Sequence, residues 1–216
     1  MEPIVSGVGV LDKSLGLLGL VAEQPRTLAE LVAGSGLSRA TAHRLAVALE
    51  AHGLLRRTED GRFALGLHVI ALGRAAAEQY PLADRARPAL GDLRDATGES
   101  VQLYVRDGVH RVCIAALESP HGLRTIVPVG AALPMDVGSA GRVLSGEHTR
   151  AGWLQTVGER EPGVASVSAA VHDPDGDVVA AVSVSGPIDR LGRSPGKQHG
   201  EAVLAAARAI EARIGA

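Results

Sequence analysis

Residues 27–65 constrain this chain more than any other stretch, because two helix starts, a glycine stop and a charged hairpin follow one another there. Thr27-Leu28-Ala29-Glu30 has the form of a capping box, in which the Thr hydroxyl and the Glu carboxylate satisfy two free amides of a helix start. Leu28, Leu31 and Val32 give that helix an inward face, and Gly34-Ser35-Gly36 ends it within two turns. Ser38 caps the next helix, where Ala42, Leu45, Ala46 and Leu49 form a buried stripe and Gly53 closes it. Leu54–Arg57 and Arg62–Leu65 then flank Thr58-Glu59-Asp60-Gly61, a polar turn of hairpin type. Upstream, Leu11, Leu15 and Leu18 recur as one apolar stripe on a helix ending near Glu23, before Pro25. Helix, short helix, tight turn, longer helix and hairpin make a winged helix-turn-helix, whose last helix must project polar side chains into a DNA major groove.

The positions left outward on that helix are Arg39, Ala40, Thr41, His43 and Arg44, with Ser38 at its start. Arg39 and Arg44 can reach phosphate or guanine edges, and Ser38, Thr41 and His43 can donate to phosphate or base. The hairpin adds Arg56, Arg57 and Arg62, placed to ride along the backbone or in the minor groove. Any one of these is equally a solvated surface charge; the order of the elements favours DNA. The total charge of −2 does not oppose this, since Gly36–Gly66 carries five Arg against three acidic residues. Only Lys13 and Lys197 are lysines, a bias that a G+C-rich genome accounts for.

Beyond the hairpin, a helix over residues 67–79 is broken by Pro81 and reads as a linker. Leu82–Thr97 has a helical pattern. Val101–Val105 alternates as a half-buried strand, Asp107-Gly108 turns the chain, and Val109–Leu117 returns. Leu123–Val129, Val164–Val171 and Val178–Val184 read as further strands, and Ala202–Ile214 as a closing helix. The fold class is α+β, with a DNA-binding domain over 1–66, a linker helix over 67–80 and a second domain over 81–216.

Other chemistry finds little footing. Cys113 is the one cysteine, which precludes an intramolecular disulfide or a cysteine zinc cluster, and the eight His show no ligand spacing. There is no G-x-S-x-G elbow, H-E-x-x-H, P-loop or dinucleotide fingerprint, so no catalysis, cofactor or metal is expected. Residues 1–9 lack a leader pattern and no apolar run approaches the roughly 20 residues of a membrane span, so a cytoplasmic protein is expected.

The stretch Leu37-Ser38-Arg39-Ala40-Thr41-Ala42-His43-Arg44-Leu45, with Phe63-Ala64-Leu65-Gly66 closing the wing, resembles the IclR family of bacterial transcription regulators. So do Val129-Gly130, Leu133-Pro134-Met135, Gly138-Ser139-Ala140-Gly141, and the segments Gly163–Val171 and Ala180–Pro187. Gly152-Trp153, Gly158–Gly163 and Gly7–Lys13 look closest to the actinobacterial NdgR-type branch, which is associated with amino-acid metabolism.

The resemblance implies a GAF-like second domain that binds a small organic acid or amino-acid-related effector and sets affinity for a pseudo-palindromic double-stranded operator. It places the amides of Ser139 and Ala140 on the anion, adds the hydroxyls of Ser166, Ser183 and Ser185, and sets Leu133 on the apolar side. Ser183 and Ser185, two apart on a strand, share a face. It further implies a homodimer, or a dimer of dimers, with the linker helix between protomers.

Two departures stand out. Relatives carry a longer helix and loop after the Gly-Ser-Ala-Gly segment, whereas Arg142–Ala151 run almost directly into Gly152, so the pocket is expected to be open, reshaped or lost. An acidic residue of some relatives falls at Thr156. The alternative is therefore a DNA-binding regulator without an effector, whose second domain serves only oligomerisation.

Overall fold

The computed structural model describes residues 6–215, so the first part of the stretch 1–9 lies outside the described residues. Two compact units meet at Tyr80/Pro81.

The first unit holds α1 (Gly9–Glu23), α2 (Leu28–Ser35), α3 (Arg39–Ala51), β1 (Leu55–Arg57), β2 (Phe63–Leu65) and α4 (Leu67–Gln79). The capping box forms as read: the Thr27 amide donates to Glu30 Oε2 at 2.7 Å and the Glu30 amide to Thr27 Oγ1 at 3.2 Å. Gly36 adopts φ +66°, the left-handed geometry that lets α2 stop and α3 start after a three-residue turn. Leu31, Leu45, Ala46, Leu49, Leu55 and Phe63 close around Leu17 and Val21 of α1. This corrects the expected face of α1: Leu11 and Leu15 point to solvent, because the core lies on the side of Leu17 and Val21. Arg26 extends the wing hairpin, its amide donating to the Phe63 carbonyl at 2.9 Å and its carbonyl accepting from the Phe63 amide at 2.7 Å. No residue of α4 is buried within this unit.

The second unit holds α5 (Leu82–Thr97), β3 (Ser100–Asp107), β4 (His110–Leu117), β5 (Ala132–Pro134), α6 (Ser139–Leu144), β6 (Trp153–Val157), β7 (Val164–His172), β8 (Val178–Pro187), α7 (Ile188–Leu191) and α8 (Pro195–Ile214). Six antiparallel strands run in the order β5-β4-β3-β8-β7-β6. Alternation sends Val101, Leu103, Val167, Val182 and Val184 to one face, where α5 and α8 cover them. The opposite face carries Tyr104, Cys113 and Ala181 under the short α6.

Leu123–Val129 is not a strand. Thr125 and Val127 do point inward, but pairing with β4 starts only beyond Pro128, where the Cys113 amide donates to the Ala131 carbonyl. Pro128 has no N–H to give a ladder, and β5 forms at Ala132–Pro134 instead. Nor does α8 wait for Ala202: it starts at Pro195, and Gly196 and Gly200 lie against the Trp153 indole where a Cβ would collide with the ring.

Gly196→Ala and Gly200→Ala are each expected to destabilise by about 1–3 kcal/mol despite alanine's better helix propensity. Gly91→Ala in α5, where a Cβ meets nothing within 4 Å, is expected to stabilise by up to about 1 kcal/mol. Denaturant midpoints check both, and like-signed shifts would contradict the indole packing. Burial pushes the His199 imidazole below its ordinary 6.5, with Glu99 opposing. The unfolded chain therefore takes up this proton more readily, so the contribution is complete above pH 6.5 and is lost as the pH falls below it. Melting curves of His199→Gln should lack that part of the acid slope.

Candidate functional site

The outward face of α3 is a cationic row on a rigid base. Ala42, Leu45, Ala46 and Leu49 are buried, while Arg39, His43 and Arg44 are exposed and form no hydrogen bond or ion pair among the described residues. Ser38 is committed to the helix start: its Oγ accepts from the Thr41 amide at 3.3 Å and donates to Thr41 Oγ1 at 2.9 Å. The wing arginines separate further. Arg56 is exposed with no partner among the described residues. Arg57 stacks over the Phe63 ring at 4.0 Å and approaches Glu50 at 3.6 Å. Arg62 bonds Glu30 at 3.0 Å, Asp60 at 3.1 Å and the Pro25 carbonyl at 3.3 Å, which ties the wing to the α2 cap. The Thr27 amide and hydroxyl, with Arg62 beside them, hold the Glu30 carboxyl below the usual carboxylate range.

In the second unit, a cavity of about 20 Å³, room for one or two waters, opens beside α6. Of the residues the resemblance assigned to the effector, Ser139, Ala140, Ser166, Ser183 and Ser185 line it, and Leu133 is not among the lining residues. The hydroxyls are used among themselves. Ser139 Oγ lies 2.8 Å from Ser166 Oγ and 2.7 Å from Ser168 Oγ, Ser168 Oγ donates to Ser183 Oγ at 2.9 Å, and Ser185 Oγ donates to Gln102 Oε1 at 3.0 Å. The backbone cradle at the start of α6 is also taken. The Ser139 amide donates to Thr156 Oγ1 at 3.2 Å, and the Gly138 amide to Glu159 Oε2 at 3.2 Å. Arg142 holds the other Glu159 oxygen. The Ser139 amide, one of the two expected to hold an effector's anion, is therefore spent on a hydroxyl of the chain itself.

Sequence reasoning missed the cationic wall. Arg111 and Arg160 line the cavity with Tyr104 and Thr156. Arg111 is 2% exposed; its Nη1 donates to the Pro134 and Val137 carbonyls, and its guanidinium faces the Tyr104 ring at 5.4 Å. Burial lowers its proton affinity and raises the Tyr104 phenol well above its ordinary range. The signal available was weak: Arg111 sits in β4 two residues before Cys113, so the two share a face of the strand.

Two family models match the chain: the IclR helix-turn-helix domain over residues 10–59, and the bacterial transcriptional regulator IclR C-terminal domain over 74–151 and 146–212. The chain belongs to the IclR family. This IclR-family protein is thus a DNA-binding transcriptional regulator, and its relatives carry regulator names rather than enzyme names. It is 28% identical to the glycerol operon regulatory protein of Streptomyces griseus, over 95% of this chain and 96% of that one. It is 26% identical to the transcriptional repressor IclR of Escherichia coli, over 99% and 92%. An IclR homologue from Microbacterium hydrocarbonoxydans, solved in complex with 4-hydroxybenzoate, shares the fold with a TM-score of 0.80 at 20% identity, over 95% and 98%. The Streptomyces match runs over 244 aligned positions, more than the 216 residues here, so that relative carries segments this chain lacks. The C-terminal family match breaks at 146–151, between α6 and β6, where the covering segment was expected to be short. No described helix is long and apolar enough to cross a membrane, and no described His, Cys, Asp or Glu cluster could hold a metal.

Cys113 lies fully buried under α6, and burial pushes its thiol up to about 12. A disulfide exchange reagent at pH 8 should leave the native chain unlabelled over minutes and label one thiol on addition of denaturant; rapid native labelling would show that this side of the sheet opens.

Proposed function

We propose that this regulator binds a pseudo-palindromic operator as a cytoplasmic homodimer, and that a small organic acid in the second unit sets operator affinity. The observation that carries the effector half is the cavity beside α6 lined by Arg111 and Arg160, since a folded domain keeps a buried guanidinium without a carboxylate at a cost unless something offsets its charge. On the DNA side, Arg39, Thr41, His43 and Arg44 of α3 read the groove and Arg56 meets phosphate. Ser38 and Arg62 act through the fold, and Arg57 divides its charge between Glu50 and DNA. The dimer is supported by α4, whose Leu67, Ile70 and Leu72 are exposed, and by the outer Leu11 and Leu15 of α1. The branch segment at Gly158–Gly163 and Trp153 supports a role in amino-acid metabolism genes.

The second reading, oligomerisation without an effector, is favoured by the serine hydroxyls, which already satisfy one another. Operator titrations in the presence of 2-oxo acids, branched-chain amino acids and small aromatic acids separate the two. A saturable shift in operator affinity supports sensing, and a flat response across the panel favours oligomerisation alone.

Arg44→Ala is expected to cost about 1–3 kcal/mol of operator binding and to relax specificity at one base pair. Arg56→Ala should weaken all sequences alike and reduce the salt slope by about one unit. Arg62→Ala should instead lower the melting temperature of the first unit, since it removes the partner of Glu30. Binding isotherms at several salt concentrations, beside melting curves, distinguish the three.

A further inference from the structure

Among the described residues of the second unit, Arg111 is the one arginine that is buried without an acidic partner. Its contrast is Arg190, whose Nε and Nη2 take the two oxygens of the buried Glu99 at 2.5 and 2.8 Å. In Arg111 that same edge is open: Nε is buried with no hydrogen-bond partner, and no described residue bonds Nη2. The nearest acidic groups, Asp136 and Glu159, act on it only through space, and Glu159 is spent on Arg142 and the Gly138 amide. The site is built around this guanidinium. A Cβ at Gly141 would meet Nη1 at 2.7 Å and one at Gly138 would meet Nη2 at 3.2 Å, so both glycines make the room it occupies. The two carbonyls on Nη1 fix its plane.

Resting on the effector reading above, we infer that the Nε–Nη2 edge of Arg111 takes the effector's carboxylate as a two-pronged pair, and that the pocket selects 2-oxo acids over the corresponding amino acids. The fork matches a carboxylate, two parallel charged hydrogen bonds being the geometry at which guanidinium excels. The cavity lining contains Arg111 and Arg160 and no Asp or Glu, so an α-ammonium would meet two cations and no lining carboxylate to bond. A carbonyl oxygen at C2 finds instead the Thr156 hydroxyl, the outer end of the serine chain, which can turn its proton from Ser166 toward it. The recess, with room for one or two waters, matches the two oxygens of a carboxylate, and the rest of the molecule stays at the mouth.

Calorimetry on the full chain at pH 7.5 with pyruvate, alanine and methyl pyruvate tests this, with Arg111→Gln and Arg111→Lys as variants. Pyruvate is expected to bind, with alanine and the ester each weaker by at least about tenfold. Arg111→Gln should lose pyruvate affinity by about 10- to 100-fold, and Arg111→Lys should not restore it, since an ammonium keeps the charge but not the fork. Retained operator binding without pyruvate shows that the variants are folded; should either variant fail to fold, the three-ligand comparison on the native chain decides alone. Alanine or the ester binding as tightly as pyruvate, or a folded Arg111→Gln with unchanged affinity, overturns the role of Arg111 and leaves the effector reading standing. So does a chain that ignores pyruvate while another acid of the wider panel shifts operator affinity. No response to any acid overturns both.

Discussion

The second unit depends on a single constraint, the period-two alternation of its central strands. Val167, Ala169, Val182 and Val184 must all face one way, and α5 and α8 bury them. The residues between them, Ser166, Ser168, Ser183 and Ser185, are thereby forced onto the other face. A buried hydroxyl without a partner costs on the order of 1–3 kcal/mol, so four of them in one patch must find partners or hold a ligand. Here they do the first, across strands and with Ser139 above them. The packing that makes the core thus creates a polar floor on the opposite side as a matter of geometry.

What covers that floor is short. α6 has six residues and the chain reaches β6 soon after. The cover is completed electrostatically: Arg142 of α6 holds Glu159 from the far end of β6, and Glu159 caps the Gly138 amide. This closure leaves a small cavity and occupies the Gly138 and Ser139 amides, the first with Glu159 and the second with the Thr156 hydroxyl. On the effector reading proposed above, an outside anion meets the arginine wall rather than the start of α6.

Legibility followed how local each signal was. The capping box, the α2–α3 turn and the extents of α4 and α5 depend on neighbours a few residues apart, and they stand where the sequence puts them. The face of α1 was misread because Leu11, Leu15, Leu17 and Leu18 offer two stripes, and which one is core depends on where α2 and the wing lie. The strand expected at Leu123–Val129 failed because alternation reports a buried side, not a ladder partner. Likewise the start of α8 was hidden by Gly196 and Gly200, whose small size answers to Trp153 more than forty residues away. Among site residues the serines were legible as a same-face pair, but Arg111 was not. An arginine on a strand looks like surface until its depth and lack of partner are known.

Partnering is also what sorts the arginines of the first unit. Charge counting treats Arg39, Arg44, Arg56, Arg57 and Arg62 alike, yet Glu30 and Asp60 claim Arg62, and Glu50 with the Phe63 ring holds part of Arg57. An exposed ion pair contributes little stability, up to about 1 kcal/mol, but it positions a side chain and removes charge that a phosphate could have used. The cations left without a carboxylate are those on the outward face of α3 and Arg56 beside it. The same rule, applied to the interior of the second unit, separates Arg190 from Arg111. Where the chain supplies the carboxylate, as at Arg190, an arginine builds structure; where it withholds one from a fixed guanidinium, as at Arg111, the charge stays unpaired, and that is the gap the proposed effector fills.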